Sequence, residues 1–248
     1  MKNIEITVVV LAAGKGTRME SDKPKVLHEI YGVPMITHVL DALVPLVPDR
    51  MIVVVGHKSS GVKASLLNYN LSFAFQNEQL GTGHAVMSAA QLFPLKGGVV
   101  LILCGDTPLI RSETLREMLA AHLEKMAALT VMTTILEDST GYGRILSDKS
   151  GDLVKIVEEK DASSLQKEIK EVNAGIYCVN QELLLQVLRK IKNNNQQREY
   201  YLTDIVEIIK GSGLKVDKYV CVDPQEILGV NSKEELALAD KLMCARWL

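Results

Sequence analysis

The sequence predicts an α/β fold with a doubly wound, Rossmann-like mixed sheet, and three observations support this prediction. Apolar runs such as ITVVV (6–10) and VVLILC (99–104) alternate with amphipathic segments through the first half of the chain, as in parallel sheets that are covered by helices on both faces. The second half has consecutive strand-like runs with little helix between them, which predicts an antiparallel subregion. The last residues follow a helical period, which predicts a C-terminal helix.

Strands and helices are expected to alternate over the first half. The expected strands are 4–11, 51–55, 73–75 and the run GGVVLILCGD (97–106). One expected helix begins near Pro34, and three more cover 62–67, 82–91 and 112–122. Pro34 is typical of a first helical turn and Ser112 of an N-cap. Because such strands run parallel, their carboxyl ends are expected to meet at one edge, where ligands bind.

The second half predicts a different order of elements. The expected strands are 129–136, 144–146, 153–158, 172–179 and 215–222, and the expected helices are 181–191 and 202–209. SKEE (232–235) is a capping box that begins the terminal helix. One face of that helix is apolar and carries Leu236, Ala239, Leu242, Met243 and Trp247. This face either packs back on the domain or meets a partner, which would allow self-association through the terminal helix.

Composition limits the possible function classes. With 248 residues, 47% of them hydrophobic, the chain can form one large domain or a domain with a small appendage. A net charge of -2 gives no basic surface for nucleic acid, and no apolar run is long enough for a membrane span. The four cysteines lack a C-x-x-C spacing, which predicts reduced thiols in a cytoplasmic protein.

The glycine loop LAAGKGTRM (11–19) directly follows the first predicted strand. It lacks the Walker A spacing, and Met19 stands where a dinucleotide fingerprint has its third glycine. Four cations lie in or shortly after the loop: Lys15, Arg18, Lys23 and Lys25. Cations around exposed backbone N–H groups suit a triphosphate. The alternative is a tight turn with solvated lysines, for which glycine is chosen only for its backbone freedom.

Asp106 follows the apolar strand in VVLILCGDTPLI, at the edge where the glycine loop is also expected. Mg²⁺ takes one or two protein oxygens together with phosphate oxygens and water, so Asp106 is the metal candidate. An aspartate that caps the turn before a proline is the alternative. The five histidines lack metal-ligand spacing, and no G-x-S-x-G motif indicates a nucleophilic serine.

QNEQLGTGHA (76–85) places an amide and two glycines before a predicted helix. The Gln76 amide can pair with a nucleobase edge, and Gly81 allows backbone to approach a flat ring. Equally, Thr82 is typical of an N-cap and Gln76 of a loop. Glu158 and Asn173 flank strand ends and can bind sugar hydroxyls, although both are also common in turns. GYGRI (141–145) is typical of a hairpin bend.

Taken together, these segments resemble one family. The ordered set LAAGKGTRM…KPKVL, QNEQLGTGHA, GDTPLI, GYGRI, IVEEKDA, EVNAGIY, EYYLTDI and GVN resembles the uridylyltransferase domain of the bacterial bifunctional N-acetylglucosamine-1-phosphate uridylyltransferase and glucosamine-1-phosphate acetyltransferase family. The resemblance extends to Asn231 and implies the nucleotide-diphospho-sugar transferase type of sheet.

The resemblance also implies roles for individual residues. Seven would hold the uridine: Leu11, Ala12, Ala13, Gly14, Gln76, Gly81 and Thr82. Two would face the phosphates: Arg18 and Lys25. Two would bind Mg²⁺: Asp106 and Asn231. Three would hold the N-acetylglucosamine moiety: Gly143, Glu158 and Asn173. UTP and a sugar 1-phosphate are the implied partners, with no nucleic acid and no membrane.

The resemblance also implies a domain organisation. Residues 1–231 would form the nucleotidyltransferase domain and 232–248 a C-terminal helix. The family's acetyltransferase half, a left-handed β-helix, has no counterpart in this chain, so acetyl transfer is not predicted. Cys104 precedes Gly-Asp where some members have tyrosine, a change that could alter sugar or ribose contacts.

The implied reaction is attack by the phosphate of N-acetylglucosamine 1-phosphate on the α-phosphorus of UTP, with pyrophosphate leaving. The attacking phosphate is already an anion, so positioning and charge neutralisation would suffice. Three alternatives stay open: a nucleotidyltransferase for another nucleotide or alcohol phosphate, a catalytically silent binding subunit, and a dinucleotide-dependent oxidoreductase. Met19 disfavours the last of these, as do His38 and Val39, which stand where a dinucleotide-binding fold is expected to have its acidic residue.

Overall fold

A nine-stranded mixed sheet and a separate two-stranded hairpin organise this computed structural model, which describes residues 4–14, 16–56, 58–95 and 97–246. The strands are β1 (Ile6–Ala12), β2 (Glu29–Ile30), β3 (Val33–Pro34), β4 (Arg50–Val55), β5 (Ser72–Phe75), β6 (Val99–Cys104), β7 (Leu129–Ile135), β8 (Arg144–Ser147), β9 (Leu153–Val157), β10 (Glu171–Asn180) and β11 (Val216–Val220).

The sheet has a parallel part and an antiparallel part. Seven strands follow the order β11, β7, β10, β6, β1, β4, β5, and β8 and β9 form a ribbon beside β10. Strands β6, β1, β4 and β5 are parallel, whereas β10 runs antiparallel to β6, β7 and β8. This arrangement confirms the predicted mixed sheet, because the parallel part comes from the alternating first half of the chain.

Helices cover both faces of the sheet. They are α1 (Met35–Leu43), α2 (Ser59–Ser65), α3 (Thr82–Ala90), α4 (Ser112–Glu124), α5 (Ser164–Lys167), α6 (Gln181–Leu188), α7 (Asp204–Gly211) and α8 (Lys233–Arg246). Val8 and Val10 of β1 face a core cluster that includes residues of α1, α2 and α4. Val9 faces the opposite cluster, which includes residues of α3, α6 and α7. A strand buried on both faces must be apolar throughout, which is why ITVVV is a continuous run.

Several element boundaries differ from the sequence prediction. Pro34, expected in a first helical turn, instead ends β3 and is the N-cap of α1 with an extended ψ of 138°. Helix α2 begins at Ser59, three residues before the expected start, and the hairpin β2–β3 was not predicted. Ser112 is the first residue of α4 and not its N-cap, which is Arg111. The buried Glu226 accepts hydrogen bonds from the Arg111 N–H and the Thr114 hydroxyl, both at 2.9 Å. A carboxylate distant in sequence therefore binds the N-cap residue and the first turn of α4, and among the described residues no side chain accepts the helical N–H that Ser112 was expected to cap.

The terminal helix packs back on the domain. Ala239 and Met243 are buried in a cluster with Ile30, Met35 and Val230. In the described part of the helix, which ends at Arg246, the apolar face therefore packs on the domain. Trp247, predicted on the same face, lies outside the described residues. Among the described helices, none combines the length and the apolar character needed to cross a membrane.

Candidate active site

A cavity of about 490 Å³ opens where the glycine loop leaves β1. Nine of the predicted site residues line it: Leu11, Ala12, Ala13, Gly14, Lys25, Gln76, Gly81, Thr82 and Asp106. Strands β1, β5 and β6 all end at this cavity, because parallel strands bring their carboxyl ends to one edge. The sequence-based expectation that the glycine loop and Asp106 meet at one edge is therefore confirmed.

One wall of the cavity is formed by Gln76 and the start of α3. Gly81 adopts a φ of +106°, and a Cβ there would lie 2.6 Å from the Tyr200 carbonyl oxygen, so only glycine fits. Gly81 is also the N-cap of α3. Thr82 is the first helical residue, and its hydroxyl oxygen instead accepts the Leu202 N–H at 3.0 Å. The interpretation of Thr82 as an N-cap is therefore wrong.

A cluster of one cation and two oxygen ligands lies on the opposite side of the cavity. The Lys25 ammonium contacts Asp106 Oδ2 and lies 2.9 Å from Asn231 Oδ1. The side chains of Lys25 and Asp106 are 13% and 17% exposed, so this contact is shielded from solvent. We call Lys25, Asp106 and Asn231 the cation cluster. Gly16 faces its lysine, because a Cβ at Gly16 would lie 2.7 Å from Lys25 Cβ.

The start of the terminal helix fixes Asn231 in the cation cluster. Glu235 Oε2 accepts N–H groups from Asn231 at 2.6 Å and from Ser232 at 2.9 Å, and Ser232 Oγ accepts the Glu235 N–H at 3.2 Å. This confirms the predicted capping box. Asn231 Nδ2 donates to the Gly229 carbonyl oxygen at 3.2 Å, which leaves Oδ1 turned toward Lys25.

The cation cluster has the donor atoms that Mg²⁺ requires. Asp106 and Asn231 already direct two oxygens at a single positive charge. Within the described residues, no group of three or more His, Cys, Asp or Glu side chains could hold a metal ion. A site with two protein oxygens is nevertheless sufficient when phosphate oxygens and water supply the remaining ligands.

The three predicted sugar ligands also come together, and we call them the Glu158 cluster. A Cβ at Gly143 would lie 3.5 Å from Glu158 Oε2 and 3.6 Å from Asn173 Cβ. The Gly143 carbonyl oxygen accepts the Asn173 N–H at 2.8 Å. A bulge in β10 follows Asn173, whose Oδ1 accepts the Gly175 N–H at 3.0 Å and whose Nδ2 donates to the Tyr177 hydroxyl at 2.8 Å. These bonds fix the Asn173 amide.

Burial raises the pKa of Glu158, and the Thr203 hydroxyl partly offsets this by donating to Oε1 at 3.0 Å. Nearby negative groups, Asp161, Asp204 and Glu199, raise the pKa of Glu158 further. A carboxylate that is desolvated in this way gains from any new hydrogen-bond donor, so it is well suited to bind hydroxyl groups.

A buried arginine holds the loop that carries Gly143. Arg144 is 1% exposed, contacts the Tyr142 carbonyl oxygen and pairs with Glu159 at 2.7 Å. Glu159 also accepts the Gly141 N–H at 3.3 Å. The turn 141–144 is therefore held by an ion pair and a hydrogen bond to Glu159, the neighbour of Glu158 in the chain.

Cys104 lies between the cation cluster and the Glu158 cluster. Its thiol lines the cavity, and burial raises its pKa to about 12, with a further increase from Asp106. A Cβ at Gly175 would lie 3.8 Å from Cys104 Sγ, and the Gly175 N–H donates to Asn173 Oδ1, so the sulfur atom lies next to the bulge that carries Asn173. At neutral pH Cys104 is a protonated thiol that separates the two clusters.

The predicted cations are only partly brought together. Arg18 is exposed in the short turn Thr17–Met19 and is not part of the cavity lining, and Lys23 is exposed and paired with Glu29 at 2.9 Å. Lys15 lies outside the described residues. Among the three of these cations that the structure describes, Lys25 is the one that lines the cavity.

Sequence reasoning missed several side chains at the site. Gln79 and Glu199 line the cavity, Thr203 bonds Glu158, and Arg144 anchors the Gly143 loop. Glu199 and Thr203 belong to EYYLTDI, a segment whose resemblance was noted without a role for any residue. Neither spacing nor composition indicates that this segment reaches both Gly81 and Glu158.

Comparisons with known proteins agree with this geometry. A sequence profile of the MobA-like NTP transferase domain matches residues 8–165. A protein from Desulfotalea psychrophila named bifunctional protein GlmU is 49% identical over 240 residues, which cover 97% of this chain and 71% of the relative. Proteins of the same name from a Geobacillus species and from Thermoanaerobacter pseudethanolicus are 47% and 48% identical over 96% and 97% of this chain.

The chain belongs to the GlmU family. The sequence-based identification is thus confirmed, as is the predicted nucleotidyltransferase class, since the matched NTP transferase domain covers more than half of the chain. The parallel and antiparallel parts of the sheet agree with a GlmU-type nucleotidyltransferase. The chain spans 52% of the length of the Geobacillus and Thermoanaerobacter GlmU proteins.

Proposed function

We propose that this GlmU-type chain transfers uridylyl from UTP to N-acetylglucosamine 1-phosphate, giving UDP-N-acetylglucosamine and pyrophosphate. The observation that carries the proposal is the order of three groups at one sheet edge. Gln76 follows β5, Asp106 of the cation cluster follows β6, and Asn173 of the Glu158 cluster lies on β10. These strands succeed one another across the sheet in the order β5, β4, β1, β6, β10. A base, a phosphate chain and a sugar follow one another in the same order in a nucleotide sugar.

The chemical step is an in-line displacement. A phosphate oxygen of the sugar phosphate forms a bond to the α-phosphorus of UTP, while the bond from that phosphorus to the bridging oxygen of pyrophosphate breaks. The electron pair of the broken bond leaves with pyrophosphate. The attacking oxygen carries no proton at neutral pH, so the reaction needs no side chain as base. Catalysis then depends on position and on charge neutralisation.

Lys25 supplies the main protein charge in this proposal. In the structure its ammonium neutralises Asp106 and contacts Asn231. If Asp106 and Asn231 held a metal ion, the Lys25 ammonium would be free to turn toward the phosphates in the same cavity. Arg18 would approach the phosphates from the exposed turn Thr17–Met19. A flexible lysine suits such a change of partner, because its point charge does not depend on a planar geometry.

Asp106 and Asn231 would hold Mg²⁺. The bound ion would neutralise phosphate charge that develops during the displacement. Asp106 is fixed through its backbone, whose carbonyl oxygen accepts the Val230 N–H at 2.9 Å. The two ligands therefore keep their separation even though 124 residues of sequence lie between positions 106 and 231.

The sugar end would be recognised by the Glu158 cluster. The Glu158 carboxylate can accept sugar hydroxyls, the Gly143 N–H can donate, and the Asn173 amide can contact the N-acetyl group. The uridine would contact the cavity residues at and just after the end of β1 and those between the end of β5 and the start of α3. These are Leu11, Ala12, Ala13, Gly14, Gln76, Gly81 and Thr82.

The wider organisation follows from the same proposal. Residues 1–231 would be the catalytic domain and 232–248 a helix that both closes the fold and positions Asn231. The described cysteines are all free thiols, which suits the predicted cytoplasmic location, where UTP is also found. Self-association through the terminal helix stays a prediction, as does a role in building cell-wall precursors.

Pyrophosphate release tests the proposed function. The chain is incubated with N-acetylglucosamine 1-phosphate and one of UTP, CTP, GTP or dTTP, with and without Mg²⁺. Release that is fastest with UTP and requires Mg²⁺ is expected. Release with another nucleotide alone would keep the mechanism and overturn the substrate, whereas no release with any nucleotide would contradict the enzyme function in this chain.

A further inference from the structure

The orientation of the Gln76 amide follows from its two hydrogen-bond partners. Gln76 is 4% exposed, and its Nε2 lies 3.0 Å from the Gly81 carbonyl oxygen and 3.2 Å from His84 Nδ1. A carbonyl oxygen can only accept, so the amide nitrogen must face Gly81. The same Gly81 oxygen also accepts the Ala85 N–H at 3.1 Å, which makes it a fixed feature of the first turn of α3.

The second partner must be the unprotonated nitrogen of His84. An amide nitrogen donates and never accepts, so Nδ1 of His84 has to accept and the ring proton lies on Nε2. Both N–H groups of Gln76 are then used. Among the described residues no hydrogen-bond donor contacts Gln76 Oε1, and Gln76 lines the cavity, so the amide offers its oxygen to a ligand.

We propose that His84 is a positioning residue that sets base selectivity by holding the Gln76 amide with its oxygen toward the base. This inference rests on the proposed function and deepens it. The N3–H group of uracil can donate to Gln76 Oε1. Cytosine has a lone pair at N3, so it would face the oxygen without a proton between the two atoms.

The orientation of the Gln76 amide would distinguish bases by the group that they carry at N3. Thymine carries the same N3–H group as uracil, so the orientation of Gln76 separates uracil from cytosine but not from thymine. The Gly81 carbonyl oxygen still accepts one N–H of Gln76 when the acceptor at Nδ1 is lost, so the preference for this orientation falls by the value of one hydrogen bond. The rotated amide, with its nitrogen toward the base, becomes correspondingly more populated. A rotated amide would donate to cytosine N3. His84 would thus act on the choice of base without contacting the reacting phosphates.

Two variants of His84 separate the hydrogen bond from the bulk of the ring. His84→Phe keeps a planar ring in the first turn of α3 and removes the acceptor. His84→Asn places an amide oxygen near the position of Nδ1 and should restore the acceptor. Ser88→Ala is the matched control, because Ser88 lies one turn further along α3 and bonds only the His84 carbonyl oxygen at 3.1 Å in the described residues.

The test compares kcat/KM for UTP, CTP and dTTP. We expect His84→Phe to lower the ratio of UTP to CTP by about tenfold, the value of one hydrogen bond. The KM for the sugar phosphate should not change, and dTTP should follow UTP. His84→Asn should recover most of the ratio, and Ser88→Ala should match the parent. The proposal would be overturned if the UTP to CTP ratio of kcat/KM in His84→Phe stayed within about twofold of the parent, or if His84→Asn did not recover it.

A measurement on the parent chain keeps the proposal testable if a variant does not fold. A long-range proton–nitrogen correlation spectrum at alkaline pH identifies which ring nitrogen of His84 carries the proton. The proposal requires the proton on Nε2, and a proton on Nδ1 would overturn it. If the parent shows no turnover with UTP, the proposed function fails, whereas turnover with the wrong tautomer contradicts the role of His84 alone.

Discussion

The two ends of the candidate site are built by different means, and the Glu158 cluster lies outside the lining of the cavity that holds Gln76. The end that faces Gln76 consists of loops that leave parallel strands, and several of its predicted contacts are backbone groups of Leu11–Gly14 and Gly81. The Glu158 end lies on the antiparallel ribbon and depends on an ion pair between the buried Arg144 and the partly exposed Glu159. Short motifs can encode the first kind of site, whereas the second kind needs tertiary contacts.

The difference between the ends also concerns their charge. Lys25 lies in the cation cluster, where a positive group can leave Asp106 for a phosphate. At the other end, Glu158 is largely buried beside further negative groups. Its carboxylate can accept a hydrogen bond from a ligand in addition to the one from Thr203. Substitutions should therefore affect the phosphate step or the sugar KM, but seldom both.

The largest expected effect is on turnover. Lys25→Ala removes the charge nearest to Asp106, so kcat should fall roughly 100- to 1,000-fold, as when a preorganised charge-stabilising group is lost. The KM for the sugar phosphate should change little, because the Glu158 cluster is left intact. Steady-state kinetics with both substrates measures the two effects, and Lys149→Ala, in the exposed turn between β8 and β9, is the control. Unchanged turnover would remove Lys25 from the mechanism.

The next effect tests whether the sugar end is held by a buried charge. Arg144→Met removes the hydrogen bonds to Glu159 and to the Tyr142 carbonyl oxygen and leaves Glu159 partly exposed to water, so the free energy of unfolding should fall by about 2 kcal/mol. The KM for the sugar phosphate should rise while the KM for UTP stays constant. Urea denaturation and two-substrate kinetics measure these quantities, and Arg144→Lys should recover part of both. An equal rise in both KM values would mean that the two ends are not independent.

Glu158→Gln separates binding from stability at the sugar end. Loss of the charged acceptor should raise the KM for the sugar phosphate about 10- to 100-fold. Because burial raises the folded-state pKa of Glu158, the native state binds its proton more tightly than the unfolded chain does. The carboxylate therefore lowers stability as pH rises from the unfolded pKa through the folded pKa, and the cost is complete above the folded pKa.

The pH dependence of unfolding provides the check on this variant. Glu158→Gln should be more stable than the parent at neutral pH, and the difference should vanish in acid, below the unfolded pKa. Thr203 can still donate to the glutamine oxygen, so that contact serves as an internal control. A variant less stable than the parent at neutral pH would show that the Glu158 carboxylate is satisfied in the free protein.

The smallest expected effect joins the terminal helix to the cation cluster. Glu235→Ala removes the acceptor for the Asn231 and Ser232 N–H groups, which should cost about 1 kcal/mol of stability. Because Asn231 would lose its support, the Mg²⁺ concentration at half-maximal activity should rise roughly tenfold. Lys241→Ala, exposed on the same helix, is the control. A lower stability with an unchanged Mg²⁺ requirement would separate the helix from the metal site.

Sequence reasoning succeeded where local pattern determines structure. Continuous apolar runs placed β1 and β6, and the capping box SKEE placed the start of α8. The position of Asp106 beside the glycine loop followed from strand polarity alone. Asn231 was found only through the resemblance, because its neighbour in space, Asp106, is far away in sequence.

The remaining features depend on contacts that no local pattern encodes. Glu226 caps α4 from the far end of the chain, so Ser112 was assigned the wrong role. Arg144 is fully buried although arginine is typical of surfaces, and only the position of Glu159 explains this. His84 could not be interpreted from spacing, because its partner Gln76 becomes informative only when the Gly81 carbonyl fixes the amide.

A crystal structure of the chain with UDP-N-acetylglucosamine and Mg²⁺ tests the account most directly. The account predicts the uracil beside Gln76 Oε1, the metal ion between Asp106 and Asn231, and the amino sugar against Gly143, Glu158 and Asn173, with the Lys25 ammonium moved from Asp106 to a phosphate. A nucleotide sugar bound in the reverse direction, or Lys25 still paired with Asp106 in that complex, would contradict it.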